Sequence, residues 1–217
     1  MSVLELAPVV PVVAVSEVDH AVPLARALLA GGLPVIEVTL RTAAALDAVR
    51  AIADEVPEMT VGAGTVCSGV QVEQAADAGA AFLVSPGATD RLLDAMQDRG
   101  LPFLAGTSTV SDMLRLLERD ITEAKLFPAA AVGGLALLRA VYGPLPQLRF
   151  CPTGGVSPTN AAEYLVLPNV GCVGGSWLAP AEVLAARDWA RIETLARAAA
   201  ALRPRRPDAA DEDQPTR

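Results

Sequence analysis

Lysine and histidine are nearly missing from this 217-residue chain: Lys125 and His20 stand alone, although Lys and Arg together number 17. One histidine cannot build a multi-histidine zinc site, and in a histidine-centred triad it would have to serve by itself. Cysteine is scarce and odd in number. Cys67, Cys151 and Cys172 show no CxxC or finger spacing, which reads as reduced thiols rather than a disulfide framework. Aromatic residues make up only 4%. No apolar run spans a bilayer without Gly, Pro or charge, and the opening MSVLELAPVV lacks the basic start and long apolar core of a secretory signal. A cytoplasmic protein with no membrane partner is the expectation. Positive charge is also in deficit: the formal net charge of -8 disfavours a nucleic-acid or anionic-membrane partner. A phosphorylated small molecule stays possible, because backbone N–H groups at helix starts hold phosphate whatever the overall charge.

What the chain has is aliphatic: hydrophobic residues make up 52% and charged residues 19%. Such a composition suits a buried parallel sheet. Short apolar runs recur at 9–15, 34–40, 59–65, 80–86, 101–107, 123–129, 148–155 and 171–177, separated by stretches with apolar residues three and four apart. Gly32, Gly79 and Gly100 fall where helix C-caps belong, each just before the next run. Eight strand–helix units predict an α/β fold, a parallel eight-stranded (β/α)8 TIM barrel. A doubly wound open sheet is the alternative, weakened by the strand count and the lack of an early GxGxxG turn. From Arg203 the run RPRRPDAADEDQPTR is charged, Pro-rich and aperiodic, which predicts a single domain over 1–202 and a disordered tail over 203–217.

In a barrel, chemistry sits at the C-terminal ends of strands, and alternation decides which side chains face inward. In VIEVTLRT, Glu37, Thr39 and Arg41 share one face and Ile36, Val38 and Leu40 the other. Turning the apolar set to the helix layer sends Glu37 and Arg41 inward. A structural ion pair plugging the barrel accounts for them as well as an acid/base beside an anion-binding cation does. In EAKLFPA, Lys125 and Phe127 point one way. A lysine in mid-strand cannot snorkel to solvent through a helix layer, so Lys125 should be buried near Glu37 and Arg41. Burial and a neighbouring cation both favour the neutral amine that imine formation needs. GAGT (62–65) offers close approach and the Thr65 hydroxyl at the rim, although such endings also serve turns. Pro86, in the strand-ending SPG, and Phe127 read as pocket wall. TGGVSP (153–158) and GGSW (174–177) put glycine-rich ends on strands seven and eight, the usual phosphate cup of a barrel. His20, opening a helix, reads as a capping or surface residue.

The ordered set VVPVVAV, LPVIEVTLRT, VGAGTV, FLVSPG, GTST, KLFPA, RFCPTGGVSP and GGSWL resembles the 2-keto-3-deoxy-6-phosphogluconate aldolase family over roughly residues 8–200. That family also contains 4-hydroxy-2-oxoglutarate aldolase and a phosphogalactonate aldolase. The resemblance implies a homotrimeric, cytoplasmic class I pyruvate aldolase that needs neither metal nor dissociable cofactor. It implies Lys125 as the Schiff-base lysine and Glu37 as the general acid/base. Arg41 and Thr65 would hold the pyruvyl carboxylate. Gly154, Gly155, Gly175 and Ser176 would take the phosphate, with Thr153 near the substrate hydroxyls. Cleavage of 4-hydroxy-2-oxoglutarate or of the phosphogalactonate is the rival within the class. A non-catalytic sugar-phosphate-binding barrel is the rival outside it. The chain departs from the family pattern at Ala130, where relatives often carry an acidic residue, and any helix ahead of strand 1 should be short or absent.

Overall fold

Each of the eight aliphatic runs folds as a strand, because Val, Ile and Leu can be buried on both faces of a sheet covered by helices. In the computed structural model, which describes residues 1–202, the strands are β1 (Val9–Val13), β2 (Val35–Thr39), β3 (Thr60–Gly64), β4 (Phe82–Val84), β5 (Phe103–Thr107), β6 (Glu123–Leu126), β7 (Arg149–Pro152) and β8 (Val173–Gly175). They pair in parallel in the order β7-β6-β5-β4-β3-β2-β1-β8. Between β7 and β8 there is no ladder, only two isolated parallel bridges, Phe150 to Val170 and Thr153 to Gly174. These draw the ends together into a nearly closed (β/α)8 barrel, so the open doubly wound sheet is excluded. The predicted tail at 203–217 lies outside the described residues.

The helices are α1 (Ala21–Ala30), α2 (Ala45–Glu55), α3 (Gly69–Asp77), α4 (Asp90–Arg99), α5 (Val110–Leu117), α6 (Gly134–Tyr142), α7 (Ala161–Leu165), α8 (Ala181–Ala185) and α9 (Trp189–Ala200). The eighth segment divides into a short α8 and a longer α9. The latter crosses α1 so closely that a Cβ on Gly31 would lie 2.7 Å from the Glu193 carbonyl. Ahead of β1 there is a single 3-10 turn, Val3–Glu5, with Val3 and Leu4 buried. Among the described residues no helix is long and apolar enough to cross a membrane. Gly32, Gly79 and Gly100 have φ of 90°, 89° and 72°, the left-handed conformation that ends helices. Gly100 follows α4 directly, whereas Gly32 and Gly79 stand one residue further on.

Strands are shorter than the runs that announced them, and the surplus forms the mouth of the barrel. Helices α3, α4 and α5 leave that mouth from capped starts at Ser68, Thr89 and Thr109. Thr109 and Asp112 form a full capping box. Inside the barrel, large and small residues alternate. Phe82 is fully buried over Gly62, where a Cβ would come within 2.5 Å of the ring. One layer higher, Gly64 makes the same room for Glu37.

Candidate active site

Lys125 and Glu37 reach each other across the barrel axis from β6 and β2. Lys125 is 5% exposed and Glu37 3%, and Nζ lies 3.3 Å from Oε1. Alternation aims both inward, since Glu37 pairs with Gly62 of β3 and Lys125 with Gly106 of β5. The bare glycines keep this layer open. A Cβ on Gly64 would stand 2.5 Å from Glu37 Cγ and 2.6 Å from its Cδ, and one on Gly106 would press on the Pro86 backbone. Half-buried Phe127 lies above the lysine, its ring centroid 5.2 Å from Nζ. A buried amine is therefore held beside a buried carboxylate, with an aromatic wall on one side.

Arg41 sits differently from the sequence expectation. It is exposed beyond the end of β2, and its Nε donates to Thr39 Oγ1 at 3.1 Å. The hydroxyl of Thr39 in turn donates to the Val13 carbonyl at 3.0 Å. The guanidinium is thus braced at the rim, and the charge contacting Lys125 is the Glu37 carboxylate. Thr65 ends the GAGT turn with φ of 59°. A β-branched residue in the left-handed region is strained by about 1–3 kcal/mol. Such strain is retained where a particular side-chain direction is needed.

The glycine-rich ends of β7 and β8 lie side by side, joined by the Thr153–Gly174 bridge. A Cβ on Gly174 would fall 3.0 Å from that of Thr153, and the Trp177 ring covers Gly175. Gly154 and Gly155 adopt φ of 94° and 80°. Among the described residues the N–H groups of Gly155 and Ser176 donate to no protein acceptor. Gly155 and Ser176 are exposed. The helices that follow, α7 and α8, are only five residues each and begin several residues later. These free N–H groups are therefore turn amides rather than helix starts, unlike the helix-start geometry expected from the sequence. Ala130 touches this turn: its N–H donates to the Gly154 carbonyl at 3.0 Å and its methyl abuts Gly155.

His20 stands at the N-cap position of α1 but is buried, not a surface residue. It is 8% exposed and makes no capping bond. Its Nε2 accepts from Arg187 Nε at 3.1 Å, and its ring meets Trp189 edge-on at 5.8 Å. Glu17, Asp19 and His20 cluster as metal ligands do, but the Arg187 guanidinium lies against all three. The Cys172 thiol is held well above its ordinary value by a hydrogen bond with Cys151 and by burial, so it stays a neutral thiol and not a nucleophile. Two bracing groups went unread in the sequence. Ser85 Oγ accepts from the Gly106 N–H at 3.3 Å, holding the Pro86 turn against β5. The Asn160 amide grips the glycine turn. The only sequence signal for either was a small polar residue beside a glycine-rich strand end.

The model of the family of KDPG and KHG aldolases (2-keto-3-deoxy-6-phosphogluconate and 4-hydroxy-2-oxoglutarate) matches residues 1–195. The chain is 53% identical over 194 residues, 89% of its own length and 90% of the relative's, to a 2-dehydro-3-deoxy-phosphogluconate aldolase of Pseudoalteromonas atlantica. It superposes with a TM-score of 0.89 on the KDPG aldolase of Legionella pneumophila, in which pyruvate was captured as a covalent carbinolamine. That pair is 44% identical, with 91% of this chain and 96% of the other covered. The Zymomonas mobilis KDPG aldolase with 3-phosphoglycerate gives a TM-score of 0.88 at 43% identity, covering 93% and 95%. With its nearly closed barrel and buried lysine–glutamate pair, the chain belongs to the KDPG and KHG aldolase family.

Proposed function

We infer that this protein is a class I aldolase that reversibly cleaves 2-dehydro-3-deoxy-6-phosphogluconate to pyruvate and glyceraldehyde 3-phosphate. The observation that carries the reading is the buried Lys125–Glu37 pair at 3.3 Å. An amine adds to a ketone only as the free base, and Glu37 stands where it can take the proton. The amine of Lys125 attacks the C2 carbonyl to give a carbinolamine, whose hydroxyl takes the proton back from Glu37 and leaves as water, forming the iminium and restoring the Glu37 carboxylate. Glu37 accepts the proton of the C4 hydroxyl, directly or through one water. The C3–C4 bond then breaks with its electron pair entering the iminium. The aldehyde departs, the resulting enamine is protonated at C3 by the Glu37 acid, and water releases pyruvate from Lys125. The carbinolamine on the Legionella relative supports the first step.

The geometry of the mouth supports a placement of the substrate. Arg41 and the Thr65 hydroxyl face the pyruvyl carboxylate, a pairing of guanidinium with carboxylate that is charge-assisted. The free N–H groups of Gly155 and Ser176, with Gly154 and Gly175 leaving the backbone bare, receive the phosphate, and Thr153 serves the hydroxyls between. Phosphoglycerate on the Zymomonas relative supports a phosphate-bearing ligand. Pro86 and Phe127 wall the pocket. The second reading, cleavage of 4-hydroxy-2-oxoglutarate, is favoured by the family itself, which covers both substrates. It would use the same lysine and leave the cup idle. A cytoplasmic homotrimer is the assembly we propose, to be checked by light scattering after gel filtration. The decisive test of the chemistry is intact-mass and peptide mapping after pyruvate and borohydride. One pyruvyl adduct on the Lys125 peptide is expected; a folded protein without an adduct would leave only the sugar-phosphate binder.

A further inference from the structure

Asn160 stands where a side chain would cap α7, a position at which asparagine is favoured, yet it makes no capping bond. Its amide turns back toward the glycine turn. Nδ2 donates to the Gly155 carbonyl at 3.0 Å, and Oδ1 accepts from the Ser157 N–H at 2.8 Å. The partners dictate this orientation, since one offers only an acceptor and the other only a donor.

The turn it grips has unusual need of a grip. Gly154 and Gly155 both have positive φ, with no side chain of their own to restrict them. Three successive carbonyls are tied instead. That of Thr153 accepts from the Ala129 N–H at 2.8 Å, that of Gly154 from the Ala130 N–H at 3.0 Å, and that of Gly155 from Asn160. A peptide plane is rigid, so tying a carbonyl fixes the N–H across the same bond. Ala130 thereby sets the Gly155 N–H, and Asn160 sets the Val156 N–H. Among the described residues the Val156 N–H donates to no protein acceptor. The first two ties are backbone to backbone. The third alone depends on a side chain.

We propose that Asn160 is a positioning residue for phosphate recognition, aiming the Gly155–Val156 peptide so that the Val156 N–H joins that of Gly155 as an anion donor. The proposal rests on the reading of this turn as the phosphate cup. Asn160 acts through the peptide and not on the reacting atoms, so its loss separates phosphate binding from carbon–carbon chemistry.

The test compares N160A and N160D with the unsubstituted enzyme on 2-dehydro-3-deoxy-6-phosphogluconate and on unphosphorylated 4-hydroxy-2-oxoglutarate. Inorganic phosphate serves as a competitive probe. For N160A, KM for the phosphorylated substrate should rise about tenfold, as expected for one lost hydrogen bond, with kcat within about twofold. The inhibition constant of phosphate should rise in parallel. Exchange of pyruvate methyl protons and KM for the unphosphorylated substrate should stay within about twofold. N160D keeps an acceptor for Ser157 but turns a carboxylate on the Gly155 carbonyl, so its KM should rise further. An unmoved KM, an equal rise for both substrates, or a fall in kcat alone overturns the proposal. If N160A does not fold, N160D, which retains one of the two bonds, carries the same comparison. An unsubstituted enzyme that exchanges no pyruvate protons and cleaves neither substrate refutes the aldolase reading itself, a different result from normal cleavage indifferent to Asn160.

Discussion

Replacing Gly64 by alanine should disable the enzyme while leaving its lysine reactive. The added Cβ would lie 2.5 Å from Glu37 Cγ and 2.6 Å from Cδ. Ordinary carbon–carbon contact is about 3.6 Å, so the carboxyl must retreat by about 1 Å. A displacement of that size at a catalytic group costs on the order of 10²-fold in rate, or roughly 2.7 kcal/mol of barrier. Overpacking should also cost about 1–3 kcal/mol of stability, which for a barrel of this size lowers Tm by roughly 2 to 12 °C. The assay is steady-state cleavage monitored by pyruvate release, with borohydride trapping of pyruvate alongside. Expected is a fall in kcat of about two orders of magnitude with the Lys125 adduct still formed. Gly87→Ala is the control, because its Cβ would meet nothing within 4 Å. A G64A enzyme with kcat within twofold of the parent would refute the claim that Glu37 depends on the room Gly64 leaves and is needed there.

Further expectations concern the lysine, metal, the strained turn and one cap. Lys125→Ala should abolish both cleavage and the borohydride adduct, checked by the same mass measurement. It should also lower Tm, since it strands the buried Glu37 carboxylate at a cost of about 3–5 kcal/mol. Dialysis against EDTA should leave cleavage unchanged; loss of activity restored by a divalent ion would contradict the imine route. Thr65→Gly relieves a left-handed β-branched residue, so Tm should hold or rise while KM for pyruvate in the exchange reaction increases several-fold. Asp112→Ala removes a capping box and should cost about 1 kcal/mol at neutral pH. Burial pushes the Asp112 carboxyl up, but hydrogen bonds from Ser108 and Thr109 outweigh this and hold it below its ordinary value. The contribution is therefore complete above the ordinary carboxylate pKa and lost as pH falls through the depressed one. The Tm gap between parent and variant should close with acidification, and a gap persisting unchanged would refute the assignment.

Alternation along two strands brought together residues 88 apart in sequence, Glu37 and Lys125, because strand direction is a two-state variable that a buried face resolves. The same rule lost its hold one step further on. Arg41 lies past the end of β2, where the chain is no longer pleated, so sharing a parity with Glu37 left it exposed at the rim and bonded to Thr39. Thr65 carried no sign of its left-handed backbone, since conformation at a turn is set by what the following loop must reach. His20 looked like a surface cap because its burial depends on Trp189 and Arg187, more than 160 residues away in α9 and the turn before it. Asn160 was hidden for a related reason: an asparagine ahead of a helix reads as a cap, and only in the folded chain does the amide turn back on the glycines.

The missing ladder between β7 and β8 gives the ring a seam, and the proposed phosphate cup sits on top of it. Every other junction is laced by parallel strand hydrogen bonds, whereas this one relies on two bridges and on the glycines that make room for Thr153 and Trp177. Local opening draws on the least-connected part of a structure, so the amides flanking the seam should exchange with solvent sooner than those of β2 and β3. A dianion anchored to both lips acts as a rivet. Occupancy at a hundred times Kd would deepen the closed state by about 2.7 kcal/mol, slowing exchange at 150–156 and 171–176 far more than elsewhere. On this view, the substrate's phosphate completes the barrel as well as marking the substrate.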